Sequence, residues 1–104
     1  MKACVVLTTV GAAFDAGSLA KSLVEQRLAA CVNIVAEVRS IYRWNNGVED
    51  EREQLLVIKT SEERVDALRE AVLERHPYEV PEFVVLDAEV QGSYGAWLAH
   101  SVSG

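Results

Sequence analysis

Four side chains in the sequence have the chemistry of metal ligands: Cys31, His76, Glu79 and Glu82. Thiolate, imidazole and carboxylate groups together suit copper or zinc, so these residues form a candidate divalent-metal site, with no obligatory cofactor implied. Each also has a structural interpretation. A histidine that ends a helix before proline can interact with the terminal carbonyls, Cys31 can be a small core residue, and Glu79 can be solvated.

A short segment between two prolines is the second feature that could bind a ligand. Pro77 and Pro81 stiffen the backbone around Tyr78, and a stiff loop loses little conformational entropy when it forms a binding surface. We expect a ligand-binding cleft where this loop meets a neighbouring subunit. Its candidate residues are Trp44, Lys59, Tyr78 and Trp97. Packing of the two tryptophans in a core or an interface is the alternative interpretation.

The composition favours a folded protein that does not bind nucleic acid. Half of the 104 residues are hydrophobic, which is enough for a sizeable core. Sixteen Asp and Glu outweigh ten Lys and Arg, and this acidic balance opposes the phosphate neutralisation on which nucleic-acid binding depends. An acidic surface tolerates cations, although acidity commonly serves solubility alone.

Motifs that the sequence lacks bear on the cellular location of the protein and on whether it is an enzyme. No signal peptide or transmembrane span can be recognised, so we expect a cytoplasmic protein without a membrane partner. Cys4 and Cys31 lack C-x-x-C spacing and are expected to be free thiols. No nucleophile-and-base spacing or glycine-rich nucleotide motif is present, which indicates that the protein is not an enzyme.

Four apolar segments predict strands within a single domain spanning residues 1–104. Three of them are at 3–7, at 55–58 and at 83–90, the last with its non-alternating apolar part at 83–86, whereas residues 30–44 alternate with period two. That alternation predicts one common face for the even-numbered residues from Ala30 to Trp44. The following Asn46-Gly47 pair favours positive φ and therefore predicts a tight turn and a long, protruding hairpin.

Helices are predicted between these strands and at the end of the chain. Asp15 can cap the first helix, and Thr60 with Glu63 has the spacing of a capping box for the second. This second helix must end before Pro77, and Ser93 can cap a short final helix. The order β-α-β-β-α-β with a short C-terminal helix predicts a ferredoxin-like α/β (α+β) fold with a four-stranded antiparallel sheet.

This topology leaves one face of the sheet without helices. An exposed face should alternate with polar residues, but three of the predicted strands are apolar on both sides. The simplest cover is another copy of the chain, and the far end of the hairpin at Tyr42 and Trp44 also needs a partner. The sequence therefore predicts a symmetric oligomer.

Five segments, in order along the chain, closely resemble the CutA family of divalent-cation tolerance proteins. They are LAACVNI at 28–34, SIYRW at 40–44, LVIKT at 56–60, HPYEVPE at 76–82 and YGAWL at 94–98. The resemblance implies a ferredoxin-like fold, a homotrimer built through strand edges and the long hairpin, and similarity to the PII signalling proteins. It implies no established catalytic reaction.

The resemblance also carries a proposed copper site. In the family this site consists of a cysteine at the end of the first strand, a histidine just before His-Pro-Tyr, and the glutamate after the second proline. The matching residues here are Thr8, Arg75 and Glu82. Because an arginine is cationic and has no acceptor, this ligand set does not transfer to the chain.

Two functions are consistent with these features. The first is a trimeric divalent-cation tolerance protein that binds copper or a similar ion and contributes to the response to metal ions. The second is a PII-like regulatory trimer that binds a small metabolite or a partner protein at clefts between its subunits.

Overall fold

The computed structural model describes residues 1–104 and contains four strands and three helices. The strands are β1 (Ala3–Gly11), β2 (Cys31–Trp44), β3 (Gly47–Ser61) and β4 (Val84–Ala88). The helices are α1 (Ala16–Glu25), α2 (Val65–Arg75) and α3 (Gly92–Val102), with a 3₁₀ turn at Glu62–Arg64 before α2.

The strands form one antiparallel sheet in the order β2-β3-β1-β4. With one helix between β1 and β2 and another between β3 and β4, this is the predicted ferredoxin-like arrangement with an added C-terminal helix. β1 is longer than predicted because its pairing with β3 continues from Ala3 to Gly11. β4 is shorter than predicted and ends at Ala88.

The core lies between the sheet and the first two helices. Leu19 and Leu23 of α1 and Leu68 and Val72 of α2 are buried in it. The strand residues that they cover include Val6, Val10, Leu56 and Ile58. Helices α1 and α2 therefore cover the same face of the sheet, as the topology predicts.

The start of α1 follows the sequence prediction, whereas the starts of the other two helices do not. The side chain of Asp15 caps α1 by accepting a hydrogen bond from the backbone N–H of Ser18 at 3.0 Å. Thr60, predicted as a cap, instead lies in β3, where its hydroxyl donates to the carbonyl of Leu28 at 2.8 Å. Ser93, also predicted as a cap, lies inside α3, which begins at Gly92.

β2 contains a bulge that changes which of its residues face the helices. Val35 pairs with Leu55 and the next pair is Val38 with Glu53, so β2 advances three residues while β3 advances two. Directly opposite residues share a face, and Ile34 therefore lies on the helix side with its partner Leu56. Beyond the bulge, the even-numbered residues Val38, Ser40, Tyr42 and Trp44 lie on the other side. The predicted common face from Ala30 to Trp44 is therefore wrong.

The hairpin turn lies one residue earlier than predicted. Trp44 pairs with Gly47, so Asn45 and Asn46 are the two central residues, with φ of 48° and 65°. Positive φ at both positions is the geometry of a type I′ turn, whose twist matches that of the flanking strands. The long hairpin protrudes, and the molecule measures 45 × 24 × 22 Å.

The side of the sheet opposite α1 and α2, here called the open face, is largely apolar. Its register places together Val5, Leu7, Val35, Leu55, Val57, Val84 and Leu86. The third helix lies at one end of this face, where the Lys59 ammonium is 5.8 Å from the centre of the Tyr94 ring. Val35, Val84 and Leu86 are nevertheless 41%, 43% and 46% exposed. A single chain thus leaves apolar surface uncovered.

Candidate functional site

A cavity of about 870 Å³ lies between the β2–β3 hairpin and the loop that follows α2. All of the charged residues that line it are acidic: Glu49, Glu51, Glu53, Glu79 and Glu82. Its aromatic residues are Tyr42, Trp44 and Tyr78. Because no lysine, arginine or histidine belongs to this lining, the cavity has a strongly negative potential.

The register of the hairpin places the glutamates and the aromatic rings on one side. Ser40 pairs with Glu51 and Tyr42 pairs with Glu49, so these side chains share the open-face side of the strands. The three arginines of the hairpin, Arg39, Arg43 and Arg52, lie on the opposite side, and two of them have acidic partners there. There, Arg39 Nη2 is 2.6 Å from Asp50 Oδ2, and its hydrogen bonds lower the pKa of the Asp50 carboxyl.

Arg52 is the second arginine of the hairpin with an acidic partner, and it also lies on the side away from the cavity. It pairs with Arg39 across the two strands, and its Nη1 is 3.4 Å from Glu37 Oε1. Neither guanidinium belongs to the cavity lining. The arginines of the hairpin therefore do not neutralise the glutamates of the cavity.

His76 and Tyr78 hold the loop against the sheet. The Nε2 atom of His76 is 2.9 Å from the carbonyl oxygen of Thr9, and its Nδ1 atom is 3.2 Å from the backbone nitrogen of Tyr78. The Tyr78 hydroxyl donates to Glu53 Oε2 at 2.5 Å. Glu53 is only 5% exposed, so a carboxylate near the end of β1 lies buried under the loop.

The acidic surroundings and partial burial shift the pKa values of three groups at the cavity. Burial raises the pKa of Tyr78 well above the usual tyrosine value, and the hydrogen bond to Glu53 and the negative charge of Glu53 add to this effect. Burial, followed by the charge of Glu53, raises the pKa of Glu82, while His76 opposes the shift. Burial and the charge of Glu51 raise the pKa of Tyr42. Each shift favours the form with less negative charge.

The four predicted metal ligands are divided between two parts of the structure. Glu79 and Glu82 line the cavity, and His76 lies beside it without belonging to its lining. Cys31 lies on β2 opposite Lys59, where its thiol donates to Asn33 Oδ1 at 3.8 Å. No three His, Cys, Asp or Glu side chains of one chain are arranged to hold a metal ion. The two glutamates are therefore the predicted ligands that the fold brings together.

The predicted cleft residues are likewise divided into two pairs. Trp44 and Tyr78 line the acidic cavity. Lys59 and Trp97 both lie beside Tyr94 of α3: the Lys59 ammonium is 5.8 Å from the centre of the Tyr94 ring, and the ring centres of Tyr94 and Trp97 are 5.2 Å apart. A single chain does not join the pairs, and their meeting at a subunit boundary stays a prediction.

The structure also locates the positions that match the family's proposed copper site. Thr8 is fully buried on the helix side of the sheet, and its hydroxyl has no hydrogen-bond partner. The guanidinium of Arg75 donates to Ser18 Oγ at 3.2 Å. Of the three positions, only Glu82 lies at the cavity.

Sequence reasoning missed the acidic row of β3. Glu49, Glu51 and Glu53 are not among the residues predicted to bind a ligand, although their spacing of two places them on one face of any strand. That spacing was the available signal. The contribution of Tyr42 depended on the bulge, which the sequence did not reveal.

No helix of the structure exceeds eleven residues, and none is long and apolar enough to cross a membrane.

Among the related sequences is "Protein CutA 1, chloroplastic" of Oryza sativa, which is 44% identical over 86 residues. The alignment covers 80% of this chain and 48% of the rice protein, so the chain spans about half of that relative's length. A cytoplasmic location stays a prediction.

Comparison with known proteins gives matches over nearly the whole chain. Residues 4–101 match the family model described as CutA1 divalent ion tolerance protein. The "Divalent-cation tolerance protein CutA" of Thermus thermophilus is 50% identical over 95 residues, which is 90% of this chain and 92% of the relative. The names of these proteins describe tolerance to ions and no reaction.

Solved structures agree with this match. The divalent cation tolerance protein from Thermus thermophilus superposes with a TM-score of 0.90 at 46% identity, covering 97% of this chain and 99% of that one. CutA1 from Oryza sativa superposes with a TM-score of 0.91 at 41% identity, covering 99% and 95%. The chain belongs to the CutA1 divalent ion tolerance family.

Proposed function

We propose that this chain is a trimeric divalent-cation tolerance protein that binds copper or a similar divalent ion in the acidic cavity and contributes to the metal-ion response. The observation that supports this proposal best is the cavity itself, whose five charged residues are all glutamates. Their negative potential attracts dications, and no cationic side chain in the lining competes for them.

The donor set fits a divalent ion, and carboxylates would be its protein ligands. Glu79 and Glu82 on the loop and Glu53 on β3 lie around the same space. For a given set of oxygen and nitrogen donors, Cu²⁺ binds most tightly among the first-row dications. Since no three ligands converge in one chain, water or a second copy would complete the coordination.

The proposed trimer explains the uncovered side of the sheet. Val84 and Leu86 on the edge strand β4 and Val35 on the edge strand β2 are each more than 40% exposed on the open face. Both edges also carry unpaired backbone groups that can pair with another chain. Further copies of the chain would cover both features. The family resemblance suggests that the copies number three.

Titration calorimetry with Cu²⁺ and with Zn²⁺ on metal-stripped protein tests the metal function. We expect saturable binding, weakened at least tenfold in a Glu79→Gln, Glu82→Gln double variant, because each substitution removes one charge and one carboxylate ligand. The matched control is Glu70→Gln with Glu74→Gln, which removes two exposed charges on α2. Equal loss in both double variants, or no binding by the wild type, would contradict the proposal.

Light scattering tests the trimer, with Leu86→Lys as the disrupting variant. A lysine on the open face should lower the assembly to a monomer because it places a charge in the proposed interface. Val24→Lys is the matched control, since Val24 is a similarly exposed apolar residue on α1, away from the open face. Wild-type protein with the mass of a monomer would contradict the trimer.

One observation supports a PII-like regulatory trimer as the second candidate. Tyr94 and Trp97 are 43% and 46% exposed beside the cationic Lys59, and a further cavity of about 430 Å³ is lined by Lys59 and Tyr94, with Glu89 as its one acidic residue. An aromatic pair with one cation suits an anionic metabolite or a partner protein. Thermal-shift screening of anionic metabolites should identify a stabiliser whose effect is lost in Lys59→Ala. A uniformly negative screen would remove this candidate.

A further inference from the structure

The partners of the His76 ring define which of its nitrogens carries the proton. The carbonyl oxygen of Thr9 can only accept, so the Nε2 atom that contacts it at 2.9 Å carries hydrogen. The backbone N–H of Tyr78 can only donate, so the Nδ1 atom at 3.2 Å supplies its lone pair. The neutral Nε2–H tautomer satisfies both contacts.

This arrangement leaves His76 without a free lone pair. A neutral imidazole binds a metal through the one nitrogen that carries no hydrogen, and here that nitrogen already accepts the Tyr78 N–H. The ring also does not belong to the lining of the acidic cavity. Its place in the fold is between β1 and the loop.

The contacts of His76 continue to the carboxylate that lies deepest in the cavity. The ring packs edge-on against the ring of Tyr78, with centres 4.9 Å apart. The Tyr78 hydroxyl then bonds to Glu53, which is 5% exposed. A continuous series of contacts thus joins the Thr9 backbone, His76, Tyr78 and Glu53.

We propose that His76 is a positioning residue of the cavity: its Nε2–H tautomer fastens the loop to β1 and, through Tyr78, fixes the place of Glu53. The expected effect on cation binding rests on the proposed function. The fastening of the loop rests only on the two hydrogen bonds of the His76 ring. It departs from the prediction that His76 is itself a ligand.

Two conservative variants separate the two contacts of the ring. Asparagine at position 76 keeps an acceptor for the N–H two residues later, as in an Asx turn, but is too short to reach Thr9. Glutamine is longer and can donate to the Thr9 carbonyl while losing the turn contact. His76→Leu removes both contacts. His100→Asn is the matched control, because His100 is the other histidine and its ring is exposed on α3.

Affinity for Cu²⁺ and Zn²⁺ should follow the number of contacts retained. We expect His76→Leu to bind each ion about tenfold more weakly than wild type, the two conservative variants to fall between, and His100→Asn to match wild type. Circular dichroism checks that each variant is folded. Equal affinity in wild type and His76→Leu would overturn the proposal.

Nitrogen-15 NMR of the imidazole distinguishes positioning from ligation. We expect the His76 spectrum of metal-free protein to show the Nε2–H tautomer, with Nδ1 unchanged when Zn²⁺ is added. A Zn²⁺-dependent shift of Nδ1, or a predominant Nδ1–H form, would overturn the proposal.

Hydrogen exchange at the Tyr78 amide gives a readout that needs no metal. Exchange should be faster in His76→Leu and His76→Gln than in wild type, and protection should be partly retained in His76→Asn. If the wild-type protein binds neither ion, the proposed metal function fails. The His76 tautomer and the exchange rate of the Tyr78 amide then still show whether His76 fastens the loop. Unchanged exchange in His76→Leu would refute that role.

Discussion

The hydroxyl of Tyr78 donates a hydrogen bond to the carboxylate of Glu53, which is buried where β3 pairs with the end of β1. This contact ties the loop after α2 to the sheet. It also gives a buried acidic group a donor in a cavity without cationic side chains. Burial of an acid without such a donor costs free energy, so the pair is structural as well as part of the candidate site.

Tyr78→Phe tests the contribution of this hydrogen bond to stability. We expect the free energy of unfolding at pH 7 to fall by about 1–3 kcal/mol, because the buried carboxylate of Glu53 loses its donor. Urea denaturation measures the change. Tyr94→Phe is the matched control, since the exposed Tyr94 hydroxyl lies outside the cavity. An equal effect of the two substitutions would show that the bond to Glu53 contributes nothing specific.

Thr8→Val is expected to stabilise the protein. The Thr8 hydroxyl is fully buried without a partner, so replacing it with a methyl group removes a desolvation cost of about 1–2 kcal/mol. Thr60→Val is the matched control on the same face of the sheet, where the hydroxyl donates to Leu28. That variant should be less stable than wild type. Chemical denaturation measures the free energy of unfolding of both variants. Changes of the same sign in the two variants would contradict this explanation.

Glu82→Gln is expected to raise the melting temperature at pH 7. Burial and the charge of Glu53 raise the pKa of Glu82, so the folded protein favours its uncharged form. The stability that Glu82 contributes is fully present below the ordinary carboxyl pKa and is lost as the pH rises through the raised value. The advantage of glutamine should therefore shrink as the pH falls through that value.

Melting temperatures of wild type and Glu82→Gln between pH 4 and 8 measure this dependence. Glu74→Gln, on the exposed surface of α2, controls for the general effect of removing one negative charge from an acidic protein. A destabilised Glu82→Gln at pH 7, or a benefit that grows as the pH falls, would be incompatible with the raised pKa.

Shortening the hairpin tests its part in assembly. Joining Arg39 directly to Arg52 by an Asn-Gly turn keeps this cross-strand pair but removes Tyr42, Trp44 and Glu49. We expect the proposed trimer to dissociate or the protein to aggregate, as measured by light scattering. Asn46→Gly is the control that keeps full hairpin length. An unchanged trimer mass in the shortened variant would refute the role of the hairpin.

The order of strands and helices could be predicted because hydrophobic period and helix ends are local signals. Asp15 is a cap in both the sequence and the structure. Thr60 has the spacing of a capping box, but β3 continues through its pairing with Cys4, and the longer ladder prevails over the local cap. Asn46 belongs to the hairpin turn, as predicted, but the two central residues are Asn45 and Asn46 instead of Asn46 and Gly47.

The candidate site could be predicted only in part. Tyr78, Glu79 and Glu82 lie within five consecutive residues around Pro81, so the sequence alone brings them together. Glu53 and Tyr78 are 25 positions apart in the sequence. They meet only after the segment between them has folded into the rest of β3, α2 and the loop, and no local pattern encodes that approach. Cys31 belongs with the other predicted metal ligands by its chemistry alone, and the register of β2 places it opposite Lys59 instead.

The bulge of β2 also sets where the hairpin tolerates a change in length. Between Val35 and Val38 the strand already holds one residue more than its partner, so deleting Ala36 would leave a regular ladder with every later pair unchanged. Deleting Ser40 would instead send Tyr42 and Trp44 to the arginine side of the hairpin. The strand therefore tolerates the loss of one residue at the bulge, but not the loss of one residue four positions further along.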